Sequence, residues 1–223
     1  MSGTAEDIAA ILKAAGRPMK ASELALSGVT RMALLRATRD GMIERSARGV
    51  YRLPSADDDP RAAWASLSAR MPQAVFCMVS AAAYHGLTQN MATSLDVALP
   101  LSVKKPSPDS FGAPAKFMHW AGDIPFNVGV ETVMIDGVGV RITDPERTVV
   151  DLFRYSTLVS QRGSPSMLAD PETVHDALSR YLHGFEGGSS GKLRKMAKAF
   201  GVWERLQPHV AMLNLSENGV PSP

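Results

Sequence analysis

The apolar positions of the first forty or so residues recur at helical spacing in short blocks. Ile8, Ile11 and Leu12 fall at i, i+3 and i+4, which puts them on one face of a helix. Thr4 with Asp7 makes a capping pair at its start, and Gly16 followed by Pro18 stops it after Ala15. Ser22 is expected to cap a second helix running through Leu26, with Gly28 supplying the next turn. Thr30 caps a third helix. At about 100° per residue, Thr30, Leu34, Ala37, Thr38 and Gly41 share one small, mostly apolar side of it. Met32, Leu35, Arg36 and Arg39 point elsewhere, with Arg31 at the margin. The pattern then changes. Val50 and Tyr51 favour a strand and Ala47-Arg48-Gly49 a tight turn, so residues 44–53 read as a hairpin carrying Arg45, Arg48 and Arg52.

Pro54, the run Asp57-Asp58-Asp59 and Pro60 resist both helix and strand and read as a linker. Residues 61–71 read as a helix through Ala62, Trp64, Leu67 and Ala69, and residues 80–87 begin another that Gly86 can end. Strands are expected over 94–99, 116–120, 128–135 and 138–142, the last two joined by a tight Asp136-Gly137 turn. The proline-rich stretch 103–114 is expected to be an exposed loop. Asp144 caps a helix with Pro145 in its first turn and Val149, Val150, Leu152 and Phe153 facing inward. Helices are expected over 172–182 and 192–200, with a flexible stretch over 186–191 between them. The order gives an α+β fold: an N-terminal winged helix-turn-helix followed by a mixed α/β C-terminal domain with a small sheet and several helices. The expected boundaries are 1–54 for the winged domain, 55–60 for the linker, 61–215 for the C-terminal domain and 216–223 for a tail.

Charge sharpens the picture. The chain carries a formal net charge of only +2, yet residues 1–53 hold nine Lys/Arg against five Asp/Glu, a net of +4, and the remainder is −2. Positive charge gathered on one helix and one hairpin is the electrostatic footprint of nucleic-acid binding. Arg31, Arg36, Arg39, Arg45, Arg48 and Arg52 are therefore the candidate DNA-binding residues. Arg36 and Arg39 are expected nearest the major groove, Arg31 on phosphates at the helix start, and the hairpin arginines on the backbone. Winged modules also bind proteins, so an interaction module facing acidic side chains is the main alternative. A second basic patch, Lys192, Arg194, Lys195 and Lys198, faces away from Leu193, Met196 and Phe200. It reads either as a solvated helix face or as a second contact with nucleic acid.

Composition narrows the remaining classes. An apolar content of 45% is ordinary for a globular chain, and no run approaches the roughly 20 apolar residues that span a bilayer. The N-terminus has no basic segment before an apolar stretch, and the single Cys77 cannot form an intrachain disulfide. A cytoplasmic protein with no membrane partner is expected. Cys77, within Ala74-Val75-Phe76-Cys77-Met78-Val79, reads as a buried small hydrophobe. A phosphate loop fails because Glu186 stands where its first glycine is needed and Leu193 where its hydroxyl is needed. A strand with two magnesium-binding carboxylates fails because Ala98 replaces the partner of Asp96. One cysteine and scattered histidines give no zinc spacing, and no hydrolase nucleophile elbow is expected. His85 reads as a helix-end group, and Arg147 with Asp151 as an i, i+4 pair. No catalytic residue, metal or cofactor is assigned, and a degenerate, inactive nucleotidyltransferase-like protein remains a further alternative.

Four phrases occur in order: Gly28-Val29-Thr30-Arg31, Arg48-Gly49-Val50-Tyr51-Arg52, the run from Ser80 to Leu87, and the run from Ile142 to Leu152. Together, over about residues 5–210, they resemble the AbiEi-type antitoxin and transcriptional regulator family of type IV toxin–antitoxin systems. The resemblance implies a winged helix that binds a double-stranded operator and represses its own operon. It also implies a C-terminal domain that counters a nucleotidyltransferase toxin without a stable protein complex. Met32 and Leu35 depart from the pattern, being apolar where members often carry basic residues.

Overall fold

The computed structural model describes residues 4–54, 61–90, 93–107, 111, 113–157 and 169–218. Helix α1 (Ala5–Ala15) starts on the expected capping box, in which Thr4 Oγ1 accepts from Asp7 N and Asp7 Oδ2 accepts from Thr4 N, each at 3.2 Å. A two-residue strand, β1 (Met19–Lys20), precedes α2 (Ala21–Leu26). Ser22 does not cap α2. The cap position is Lys20, and the Ala21 N–H is satisfied by Gly49 O at 2.8 Å, so the hairpin supplies the acceptor expected from serine. Helix α3 (Arg31–Arg39) begins where Thr30 Oγ1 accepts from Ala33 N at 3.2 Å. Ala33, Leu34 and Ala37 pack with Ile8, Leu12, Leu24, Val29 and Ile43 in one small core. Gly41 is exposed because the helix has already ended.

Strands β2 (Glu44–Ala47) and β3 (Val50–Arg52) form the expected hairpin. Strand β1 adds to its other side, giving an antiparallel sheet of order β1-β3-β2 with Met19 opposite Tyr51 and Glu44 opposite Arg52. Helix α4 (Ala62–Arg70) packs against all three strands, with Trp64, Ala65 and Leu67 buried.

The rest of the chain is mixed α+β. Strands β4 (Val75–Phe76), β5 (Leu95–Pro100), β6 (Ala115–Trp120), β7 (Val130–Ile135) and β8 (Val138–Thr143) form a five-stranded sheet of order β6-β5-β4-β8-β7. The β7–β8 turn has Asp136 and Gly137 at φ 48° and 67°, both left-handed as a two-residue hairpin turn requires. A Cβ on Gly137 would also stand 2.7 Å from Gly16 O. Helices α5 (Met78–Tyr84), α6 (Ile124–Asn127), α7 (Pro145–Thr157), α8 (Pro171–His183), α9 (Ser190–Ala199) and α10 (Trp203–Asn218) complete the order. By packing, the described residues fall into two compact units. One takes residues within Met1–Val75, Val97–Ala121 and Thr132–Arg141, the other those within Phe76–Asp96, Gly122–Glu131 and Ile142–Pro223.

Several expectations need correction. The helix expected from Ser80 starts at Met78, and α10 extends into the expected tail. The proline-rich loop is not simply exposed: Phe111 is fully buried against Phe117, an apolar anchor within an otherwise polar stretch. The stretch 186–191 is tied down rather than loose. Ser189 N donates to Tyr181 Oη at 3.1 Å, and Lys192 Nζ to Gly187 O at 3.2 Å. The expected linker, 55–60, lies outside the described residues, as do 219–223.

In the second unit α7 is anchored as its sequence implies. Asp144 Oδ1 accepts from Arg147 N at 2.7 Å, and Val149, Val150, Leu152 and Phe153 are buried. Arg147 and Asp151 pair at 2.8 Å, both fully buried, and the guanidinium also donates to Val128 O at 2.7 Å and lies 3.9 Å over the Phe200 ring. Burial pushes the Asp151 carboxyl upward, and the adjacent guanidinium opposes this.

Candidate nucleic-acid interface

With about 100° per residue, the solvent side of α3 has an internal order. Leu35, Arg39 and Met32 lie along its middle, and Arg31 and Arg36 bound it on either side, opposite buried Ala33, Leu34 and Ala37. All five outward residues are exposed, Met32 at 57% and Leu35 at 53%. Arg39 Nε lies 3.0 Å from Asp40 Oδ1, an exposed pair of the kind that contributes little.

On the hairpin Arg45 and Arg48 are exposed. Arg52 differs from the other five candidates. Its Nε donates to Glu44 Oε1, directly opposite in the register, and its side chain is only 20% exposed. A cross-strand pair of this kind holds the hairpin and offsets one of its charges.

Arg70 was not among the sequence candidates. It ends α4, which packs on β2, and its guanidinium lies 5.2 Å from the centre of the Phe111 ring. Burial lowers its pKa first, and Arg48 and Arg45 lower it further, so three guanidinium groups stand within electrostatic reach of one another. No local motif announces this. Only the docking of α4 on the hairpin brings Arg70 to the hairpin arginines.

The second patch stands in the other unit. Lys192, Arg194, Lys195 and Lys198 are all exposed on α9, and Leu193 and Ala197 are the buried positions beneath them; Met196 and Phe200 are half-buried. Two of the four cations have local contacts: Lys192 with Gly187 O, and Arg194 5.5 Å from the Trp203 ring centre.

The residues weighed for chemistry have structural roles. Asp96 Oδ2 accepts from Val79 N at 3.1 Å in the first turn of α5, and Ala98 is fully buried. The sequence does contain the spelling Gly-x-Ser-x-Gly at Gly187-Gly188-Ser189-Ser190-Gly191. It joins two helices rather than a strand and a helix, and Ser189 Oγ caps α9 by accepting from Gly191 N, so it is no nucleophile elbow. His85 closes α5 with Nε2 2.7 Å from Thr143 O, and Cys77 is buried. Among the described residues no three or more His, Cys, Asp or Glu are grouped to hold a metal, and no helix is long and apolar enough to cross a membrane.

Residues 19–54 match the family model described as transcriptional regulator, AbiEi antitoxin. The AbiEi resemblance holds for this segment. It runs from β1 through the hairpin and includes the phrases at Gly28 and Arg48; those at Ser80 and Ile142 fall outside it. The AbiEi segment thus points to a regulator of the toxin–antitoxin kind. A crystal structure of the RV2827C protein from Mycobacterium tuberculosis matches 87% of this chain and 76% of its own, with TM-score 0.50 and 15% identity. That likeness concerns the fold alone. No curated protein matches the chain.

Proposed function

We propose that this protein is a DNA-binding antitoxin that represses transcription of its own toxin–antitoxin operon. In this reading residues 1–54 act as a winged helix-turn-helix, with α3 as recognition helix and the β2–β3 hairpin as wing. Residues 61–215 carry the activity that counters a nucleotidyltransferase toxin without a stable complex. It is a cytoplasmic protein without catalysis or cofactor. The observation that carries the reading is the set of exposed arginines, Arg31, Arg36, Arg39, Arg45 and Arg48, on one helix and its adjoining hairpin inside the AbiEi-matching segment. Arg39 is assigned to base edges, and Arg31, Arg36, Arg45 and Arg48 to phosphates. Arg52 keeps the wing in register through Glu44, and Arg70 adds charge behind it. Lys192, Arg194, Lys195 and Lys198 are assigned to a secondary contact with nucleic acid.

The test is binding of the DNA upstream of the gene across a range of salt concentrations. Arg36→Ala with Arg39→Ala should weaken binding at least tenfold and flatten the slope of log K against log salt by about one to two. Unchanged affinity and slope would remove the recognition-helix assignment. The same double variant should still rescue cells from the cognate toxin when co-expressed, because the two functions reside in different parts of the chain. Loss of rescue with intact folding would refute that separation.

A further inference from the structure

The middle of the α3 solvent face is apolar at two of its three positions. Met32 and Leu35 are each more than half exposed, one turn apart on the same side, and Arg31 and Arg36 bound that side. A single exposed apolar side chain is ordinary, but Met32 and Leu35 lie side by side with cations on either flank, which gives the strip a defined chemistry. The charge around them selects the class of partner. Arg31, Arg36 and Arg39 on the helix, with Arg45 and Arg48 on the hairpin, fit a polyanion. A helix seated in a major groove sends its marginal residues to the phosphates on either wall and its central residues to the base edges. The apolar group that the major groove offers is the thymine C5 methyl.

We propose that Met32 and Leu35 are specificity-determining residues that read thymine methyl groups in the operator. The proposal rests on the DNA-binding reading and adds to it a preference for particular bases. Arg39, on the same central strip, supplies a donor for a neighbouring guanine or phosphate, and Arg31 and Arg36 fix the helix in the groove.

The experiment uses the full chain and the fragment immediately upstream of its own reading frame, amplified with either dTTP or dUTP. Uracil pairs as thymine does and lacks only the methyl group. Wild type should bind the uracil fragment about fourfold more weakly for each methyl it contacts, from roughly 0.8 kcal/mol per buried carbon. Met32→Ala with Leu35→Ala should bind both fragments alike, within about twofold, with a salt slope equal to that of wild type. Both positions are exposed and alanine favours helix, so the variant should fold normally.

Equal binding of both fragments by wild type overturns the proposal and leaves the DNA-binding reading standing. An equal loss in wild type and variant assigns the effect to duplex shape and also overturns it. No binding to either fragment overturns the proposal together with the reading beneath it. A smaller assembly for the variant than for wild type in sedimentation without DNA would assign the apolar strip to a second copy of the chain, again overturning it.

Discussion

Arg70 is a half-buried cation whose charge and hydrogen-bonding capacity are not fully matched by the residues around it. Its Nη1 is buried with no hydrogen-bond partner among the described residues, and Arg45 and Arg48 repel it. Arg70→Met keeps most of the side-chain bulk and removes the charge. The free protein should then be unchanged or more stable by up to about 1 kcal/mol in thermal melts. Binding of upstream DNA should weaken, and its salt slope should flatten by about one. Lower stability without any change in slope would mean that Arg70 serves packing alone. At this scale the sequence was legible where neighbours are local. The surface arginines of α3 follow from spacing within one helix, and the Thr4–Asp7 and Thr30 caps from their immediate context. The pairing of Arg52 was not legible because its partner Glu44 lies across the hairpin, and the register, not the residue type, decides it.

Among the elements, those with their own stop and start signals were readable. Helix α8 was expected over 172–182 without its cap, which the structure supplies: Asp170 accepts from Thr173 N at 2.8 Å and from Thr173 Oγ1 at 2.7 Å, and Pro171 occupies the first turn. These hydrogen bonds hold the Asp170 carboxyl below its usual value. A carboxylate with a depressed folded pKa stabilises fully above its ordinary value of about 3.9 and loses that contribution as pH falls through the folded value. Asp170→Ala should therefore cost about 1 kcal/mol near neutral pH, and urea titrations of variant and wild type should converge in strong acid. A constant gap across pH would assign the effect to something other than the charged cap. Elements defined by distant partners were not readable. Strands β1 and β4 are two residues each and exist only because remote strands pair with them. Helix α10 contains Pro208, which in sequence argues for a break, yet Leu206, Val210 and Leu213 pack at helical spacing around it.

For the whole molecule, the division by packing matters more than the division by composition. Helix α4 lies beyond the expected linker yet covers the three-stranded sheet, burying Trp64 and Leu67. Burial of each such side chain is worth roughly 1.5–3 kcal/mol. A fragment of residues 1–54 should therefore unfold more readily than one of residues 1–75, by roughly 2 kcal/mol or more in circular-dichroism melts. Equal melting would show the N-terminal helices and hairpin to be self-sufficient.

The hairpin is stitched to the helices at two places, by the pairing of Met19 and Lys20 with Tyr51 and Val50 and by the bond from Ala21 N to Gly49 O. A beam fastened so near its tip has less freedom to swing after a curving surface than a free hairpin. If the face binds a duplex as proposed, more of the flexing would fall to the nucleic acid. Sequences that bend cheaply would then be favoured even at steps that no side chain touches.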